Sequence, residues 1–176
     1  GDNNVSDYLQ FNNTGGSSPG VTGKIGTAQA FFVKTTAATT LKLKPTHQIA
    51  ANNIDFYKSS KKSTSNKKNG RSWFQFSNGN KINTLLIGFV KGATNKYDRI
   101  YDGLFDINQK ELGFYSIAEE NTHLTIQGLP LLTEKEKVIR LGFHVDKTGN
   151  HTISILDEFI NEDYYIYLED SEENTF

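Results

Sequence analysis

The apolar residues of this chain fall in short runs separated by polar turn residues, and no run keeps the 3.6-residue period of a helix. Period two, or a brief unbroken apolar run, marks an extended strand instead. Thr39 to Lys44 alternates cleanly, with Leu41 and Leu43 on one face and Thr40, Lys42 and Lys44 on the other. It predicts a half-buried strand that Pro45 ends. Ile25 to Lys34, centred on Ala30-Phe31-Phe32-Val33, predicts another. His47 to Tyr57 predicts a third, with Ile49, Ile54 and Phe56 inward. Trp73 to Phe76 and Ile82 to Val90 predict a hairpin closed by Ser77-Asn78-Gly79-Asn80. Further strands are predicted at Leu112 to Ile117, Leu124 to Gln127, Val138 to Val145, His151 to Leu156 and Tyr164 to Leu168. In the last, alternation of Tyr164, Tyr165 and Tyr167 predicts one buried and one wet face. Lys147-Thr148-Gly149-Asn150 predicts a hairpin turn between Leu141-Gly142-Phe143-His144-Val145 and Thr152-Ile153-Ser154-Ile155. Thr133 to Lys137 fits one helical turn, and Asp157 to Asp163 an acidic turn.

About ten short strands without a long helix predict an all-β protein, and two packed sheets suit the length better than a small closed barrel. The expected architecture is a two-sheet antiparallel β-sandwich, jelly-roll-like, forming a single module over residues 1–176. Asn12 to Gly20 is loop by composition. Lys58 to Arg71, KSSKKSTSNKKNGR, has no apolar residue. It cannot join a core and reads as a mobile basic loop.

At 176 residues a sizeable core is affordable. The net charge of −1 gives no global pull onto nucleic acid or membrane. The absence of cysteine excludes disulfides and thiolate chemistry. No apolar run approaches the ~20 residues of a membrane-spanning helix.

The stretch Thr84 to Leu104 stands apart. Leu85-Leu86-Ile87-Gly88-Phe89-Val90 is a buried-strand pattern that feeds a dense block, Tyr97-Asp98-Arg99-Ile100-Tyr101-Asp102-Gly103. Such a block is either a tight corner or a site.

These pieces together resemble a known module. Ile25-Gly26-Thr27-Ala28-Gln29-Ala30-Phe31-Phe32-Val33-Lys34 resembles its "GxGFFVKA" strand. Phe56-Tyr57 with Arg71-Ser72-Trp73-Phe74 resembles its "FFR…RIWLNL" step. Leu86 to Val90, Gly92-Ala93-Thr94-Asn95, Tyr97-Asp98 and Tyr101-Asp102-Gly103 resemble its "LVGYxxGATNGYDxxYDG" block. Ile126-Gln127-Gly128-Leu129-Pro130 and Ile166-Tyr167-Leu168-Glu169-Asp170 follow in the module's order. The module is found in large exported proteins of Bacteroidetes, often just before a type IX secretion sorting domain. The resemblance implies an extracellular, cell-surface, non-catalytic β module in adhesin-like proteins, flanked by neighbouring domains of its parent. By the same resemblance the chain starts inside the module and stops one strand early. That would leave a sheet edge open to strand addition by another chain.

Three chemistries compete with structural readings. Asp98, Asp102 and Asp106 recur every four residues and, with Asn95, could hold Ca²⁺ through oxygen ligands. Turn carboxylates more commonly accept backbone N–H bonds and fix a corner. Tyr97, Tyr101 and Trp73, with Tyr8, could stack surface glycans; against this, Trp73 beside Phe74 and Phe76 reads as core. The lysine tract could grip an anion, but without interleaved aromatics it does not read as nucleic-acid binding. His47, His123, His144 and His151 are scattered, with no HExxH spacing and no nucleophile elbow. The expectation is therefore a non-enzyme without membrane insertion, acting in adhesion, spacing or presentation, or else a carbohydrate-binding module that uses exposed aromatics.

Overall fold

The computed structural model describes residues 8–33, 35, 37–50, 70–79, 81–108, 111–158 and 164–170. Seven strands are described: β1 (Arg71–Ser77), β2 (Ile82–Phe89), β3 (Gly103–Leu104), β4 (Leu112–Ile117), β5 (His123–Leu129), β6 (Leu141–Val145) and β7 (Thr152–Glu158). The only helical pieces described are single 3-10 turns, Pro45–His47 and Glu119–Asn121. The protein is all-β, as its patterning predicts. The strands make one mixed sheet in the order β6-β4-β5-β2-β1-β7, with β3 beside β5. Among the described residues this single curled sheet stands where two stacked antiparallel sheets were expected. The pair β2 and β5 is parallel, with Leu86 opposite Ile126 and Gly88 opposite Gly128.

The β1–β2 hairpin forms in the predicted register, Ser77 opposite Ile82. Asn78 closes it, its N–H donating to Lys81 O and its side-chain oxygen accepting from Lys81 N–H. The other predicted hairpin does not form. β6 pairs with β4 and β7 pairs with β1, so the short 146–151 connection joins the two ends of the sheet. The reason is packing. Phe76 of β1 lies 5.2 Å from the Phe143 ring of β6, 5.6 Å from Phe114 and 5.3 Å from His151. This aromatic group, rather than a ladder, occupies the space between the end strands.

Curling encloses the main core: Phe76, Leu85, Ile87, Leu112, Phe114 and Leu129, with Phe74, Phe89, Ile139, Leu141, Val145 and Ile153 around it. Each fully buried Leu or Ile here contributes about 1.5–3 kcal/mol. Alternation along β1 and β2 puts Trp73 and Leu86 on the opposite face, where they meet Ile126 in a second cluster.

Residues 10–17, read as loop from composition, cover that second face. They form a small hairpin, with Gln10 N–H donating to Ser17 Oγ and Ser17 N–H donating back to Gln10 O. The Asn12 side chain accepts from Thr14 N–H at 2.9 Å and closes its tip. Thr14 is fully buried. Its hydroxyl donates to Tyr101 O at 2.7 Å, while Arg71 Nε donates to Thr14 O. Trp73 Nε1 donates to Gly16 O at 2.9 Å. The paired glycines 88 and 128 leave a bare patch that seats Thr14. A Cβ on Gly88 would lie 2.4 Å from Thr14 Cγ2, and one on Gly128 2.6 Å from Thr14 Oγ1.

Other expectations fail for want of a partner. Residues 25–33 and 39–44 are not strands, and Phe32 and Leu43 are 82% and 73% exposed. Alternation says which residues would share a face if the segment paired; it does not supply the neighbour. Phe32 instead meets Tyr8 edge-on at 5.2 Å. Of the predicted strand 47–57, residues 47–50 are not strand and 51–57 lie outside the described residues, as do 58–69 of the basic loop. Residues 133–137 make no helical turn, and 157–158 extend β7 instead of turning. Residues 164–168 are unladdered, yet Tyr165 and Tyr167 are exposed while Tyr164 and Ile166 are half-buried.

The glycine seat is testable by paired substitution. Gly88→Ala should lower stability by about 1–3 kcal/mol in urea denaturation, because its methyl overlaps Thr14 Cγ2. Adding Thr14→Ser removes that methyl group, keeps the hydroxyl, and should recover part of the loss. A purely additive pair would refute the contact.

Candidate functional site

The block 97–103 folds as a corner. Tyr101 N–H and Asp102 N–H both donate to Asp98 O, at 2.9 and 2.6 Å. Asp98 Oδ1 accepts from Ile100 N–H at 2.9 Å. Asp102 is 5% exposed and both its oxygens are engaged: Oδ2 accepts from Asp98 N–H at 2.6 Å, Oδ1 from Gly128 N–H at 2.8 Å. Burial raises the Asp102 carboxyl above its ordinary value, more than these two hydrogen bonds lower it, and the nearby Asp98 charge adds to the rise. Asp106 serves a separate turn, accepting from Asn108 N–H and Nδ2. All three aspartates thus accept backbone N–H bonds. Among the described residues no group of three or more His, Asp or Glu is placed to hold a metal ion.

The three expected stacking residues do not share a surface role. Trp73 lies in the core with its indole N–H on Gly16 O. Tyr101 is half-buried, its hydroxyl 3.5 Å from Lys91 O, and its backbone seats Thr14. Tyr97 is 41% exposed and stands on the turn by itself as an accessible ring.

The histidines are less scattered than the sequence implies. Tyr115 stacks on His123 at 4.2 Å, with Phe105 at 4.8 Å and His144 at 6.4 Å. Buried Phe105 and the half-buried Tyr115, His123 and His144 form a packing cluster beside Gly113 and Gly142, where a Cβ would strike His144 and Tyr115.

The concave feature lies elsewhere. An open cleft of about 240 Å³ is bordered by residues 117–119, 127, 129 and 137–140, together with Asn95. Its walls are apolar, from Ala118, Leu129 and Ile139, and its polar groups are Asn95, Glu119, Gln127, Lys137 and Arg140. Lys137 Nζ donates to Asn95 Oδ1 at 3.2 Å and Arg140 Nη2 to Ala118 O at 3.5 Å, so the two cations have different partners. Gln127 is 5% exposed, and among the described residues its Oε1 has no hydrogen-bond donor. Leaving such an oxygen unanswered costs about 1–3 kcal/mol. Next to the lining residue Glu119, Glu120 and Asn121 hold φ of 57° and 56° in the tight β4–β5 turn. Sequence reading missed this place. Its one signal was a glutamine inside the apolar strand Leu124 to Leu129, where a buried amide needs a reason.

Among the described residues no helix is long and apolar enough to cross a membrane. A family model described as "Domain of unknown function (DUF8693)" matches residues 2–176. No curated protein and no solved structure matches the chain.

The corner makes a stability prediction. Asp102→Asn keeps one acceptor and loses the other, and should cost about 1–3 kcal/mol at neutral pH. Because folding raises this carboxyl's pKa, the folded state takes up the proton first as pH falls. The carboxyl therefore favours the folded state increasingly as pH drops through its raised pKa toward the ordinary value of 3.8, and the gain fades as pH rises again. The stability gap between wild type and Asp102→Asn should widen over that window in thermal melts. A gap independent of pH would contradict it.

Proposed function

The chain belongs to the family of that description, DUF8693, and we propose that it is a non-catalytic recognition module of a larger exported bacterial surface protein, acting in adhesion or presentation through the cleft beside β5. One observation carries the reading: Gln127 Oε1 is buried at this cleft without a donor. A folded protein retains such a group at a cost, and turning the amide so that this sealed oxygen meets a ligand donor in the cleft repays it. The lining favours holding over turnover. Among the described residues it has one carboxylate, Glu119, and no histidine, whereas glycoside hydrolysis uses two carboxylates and general acid–base chemistry needs a titrating partner. The extracellular setting rests on the ordered resemblance of the motif blocks from Tyr8 onward. Surface glycans are the ligand class that hydroxyl donors to Gln127 support.

Glycan-array capture with wild type and Gln127→Leu tests this. The leucine removes an unanswered polar atom, so its melting temperature should hold or rise while capture is lost. Wild type that captures no glycan, or a Gln127→Leu variant that captures as well as wild type, would refute the reading.

A further inference from the structure

We infer that the cleft takes a carboxylate-bearing sugar, a hexuronate unit within an acidic polysaccharide. The inference rests on the recognition reading above and names the ligand class for that same cleft.

Size comes first. At about 240 Å³ the space is below the roughly 300–1,000 Å³ of pockets for drug-sized molecules and suits a single sugar ring. Its openness leaves room for the ring to continue into a chain on either side. Charge comes second. The lining holds two cations, Lys137 and Arg140, against the single carboxylate of Glu119. The cations hold Asn95 Oδ1 and Ala118 O, and Arg140's contact, at 3.5 Å, is long enough to be exchanged for a better acceptor. A guanidinium and a ligand carboxylate form two parallel hydrogen bonds, which a neutral hydroxyl cannot match.

Hydrogen-bond direction comes third. Gln127 Oε1 and the Glu119 carboxylate can only accept, so the ligand must also donate. A simple anion would satisfy the cations and leave Gln127 unanswered. A neutral sugar would do the reverse. A hexuronate carries both functions on one ring, and its C–H face fits the apolar wall of Ala118, Leu129 and Ile139. The lining residues include no aromatic ring. That removes the face stacking on which single-stranded nucleic acids depend and which gives neutral sugars much of their contact.

The test is calorimetric titration of the full chain with tri-galacturonate and with galactotriose, its neutral counterpart. Wild type, Lys137→Ala, Arg140→Ala and a control remote from the cleft, Lys147→Ala, are compared, each checked by its melting temperature. The uronate trimer should bind at least about tenfold more tightly than the neutral trimer, lose about tenfold in each cleft variant, and weaken with added salt. Lys147→Ala should bind as wild type. Equal or tighter binding of galactotriose would overturn the acidic ligand and leave the recognition reading standing. Unchanged uronate affinity in both cleft variants would overturn this placement of the carboxylate. Binding of neither trimer would overturn the inference, and an array without capture would take the recognition reading with it.

Discussion

The structure depends on one close approach, the seating of Thr14 on two neighbouring strands that carry no side chain there. Gly88 and Gly128 face each other across the parallel β2–β5 pair, and the bare backbone between them admits a threonine that is completely buried. The polar groups at the seat itself are paired. The threonine hydroxyl meets Tyr101 O, its carbonyl takes Arg71 Nε, and Gly128 N–H meets the Asp102 carboxylate. Burial draws the Arg71 guanidinium below its ordinary value. A cation and an anion can both lie this deep because each has fixed partners in hydrogen-bonding range. The small apolar cluster of Trp73, Leu86 and Ile126 would otherwise face solvent.

How much of this was legible follows from what each signal encodes. The β1–β2 hairpin was readable because its two apolar strands and its Asn-Gly turn are adjacent in the chain, and local signals suffice there. β4, β5 and most of β6 and β7 were readable as strands for the same reason. Their pairing was not. The turn at 147–150 looks like a hairpin turn, yet β6 and β7 end on opposite sides of the sheet because Phe76, Phe114, Phe143 and His151 pack between them. That is a tertiary choice between long-range partners, and no window of sequence contains it. The segments 25–33 and 39–44 show the converse, good strand patterns that no strand joins among the described residues. The corner at Asp98 and Asp102 was legible as turn chemistry, since short carboxylates bond nearby N–H groups. The role of residues 10–17 was hidden by composition, because a glycine-rich polar stretch reads as solvent-exposed. The interior glycines of β2 and β5 were the available clue, as an isolated glycine in a strand marks a close backbone approach.

The seat and the cleft share β5, and adjacent residues of that strand serve them. Gly128 turns its bare side to Thr14, while Gln127 points the other way and lines the cleft. The two-residue period of a strand makes this division. Gly128 is held through its N–H by Asp102 and through its register by Gly88. The amide of Gln127 is thereby positioned by contacts made on the far side of the sheet. A binding group set on a rigid strand loses little further freedom when a ligand arrives. The arrangement also accounts for a polar residue in a strand that could have been wholly apolar.

The reach of residues 10–17 has a consequence for the order of assembly. Their partners lie far downstream, with separations of 57 residues to Arg71 and Trp73, 87 from Thr14 to Tyr101 and 94 from Gln10 to Leu104. At ribosomal speeds of roughly 5–20 residues per second those distances take about 3–19 seconds to synthesise. The hairpin therefore emerges early and has no surface to settle on until β5 has left the ribosome. The earliest-made of these pieces therefore waits longest for its partners.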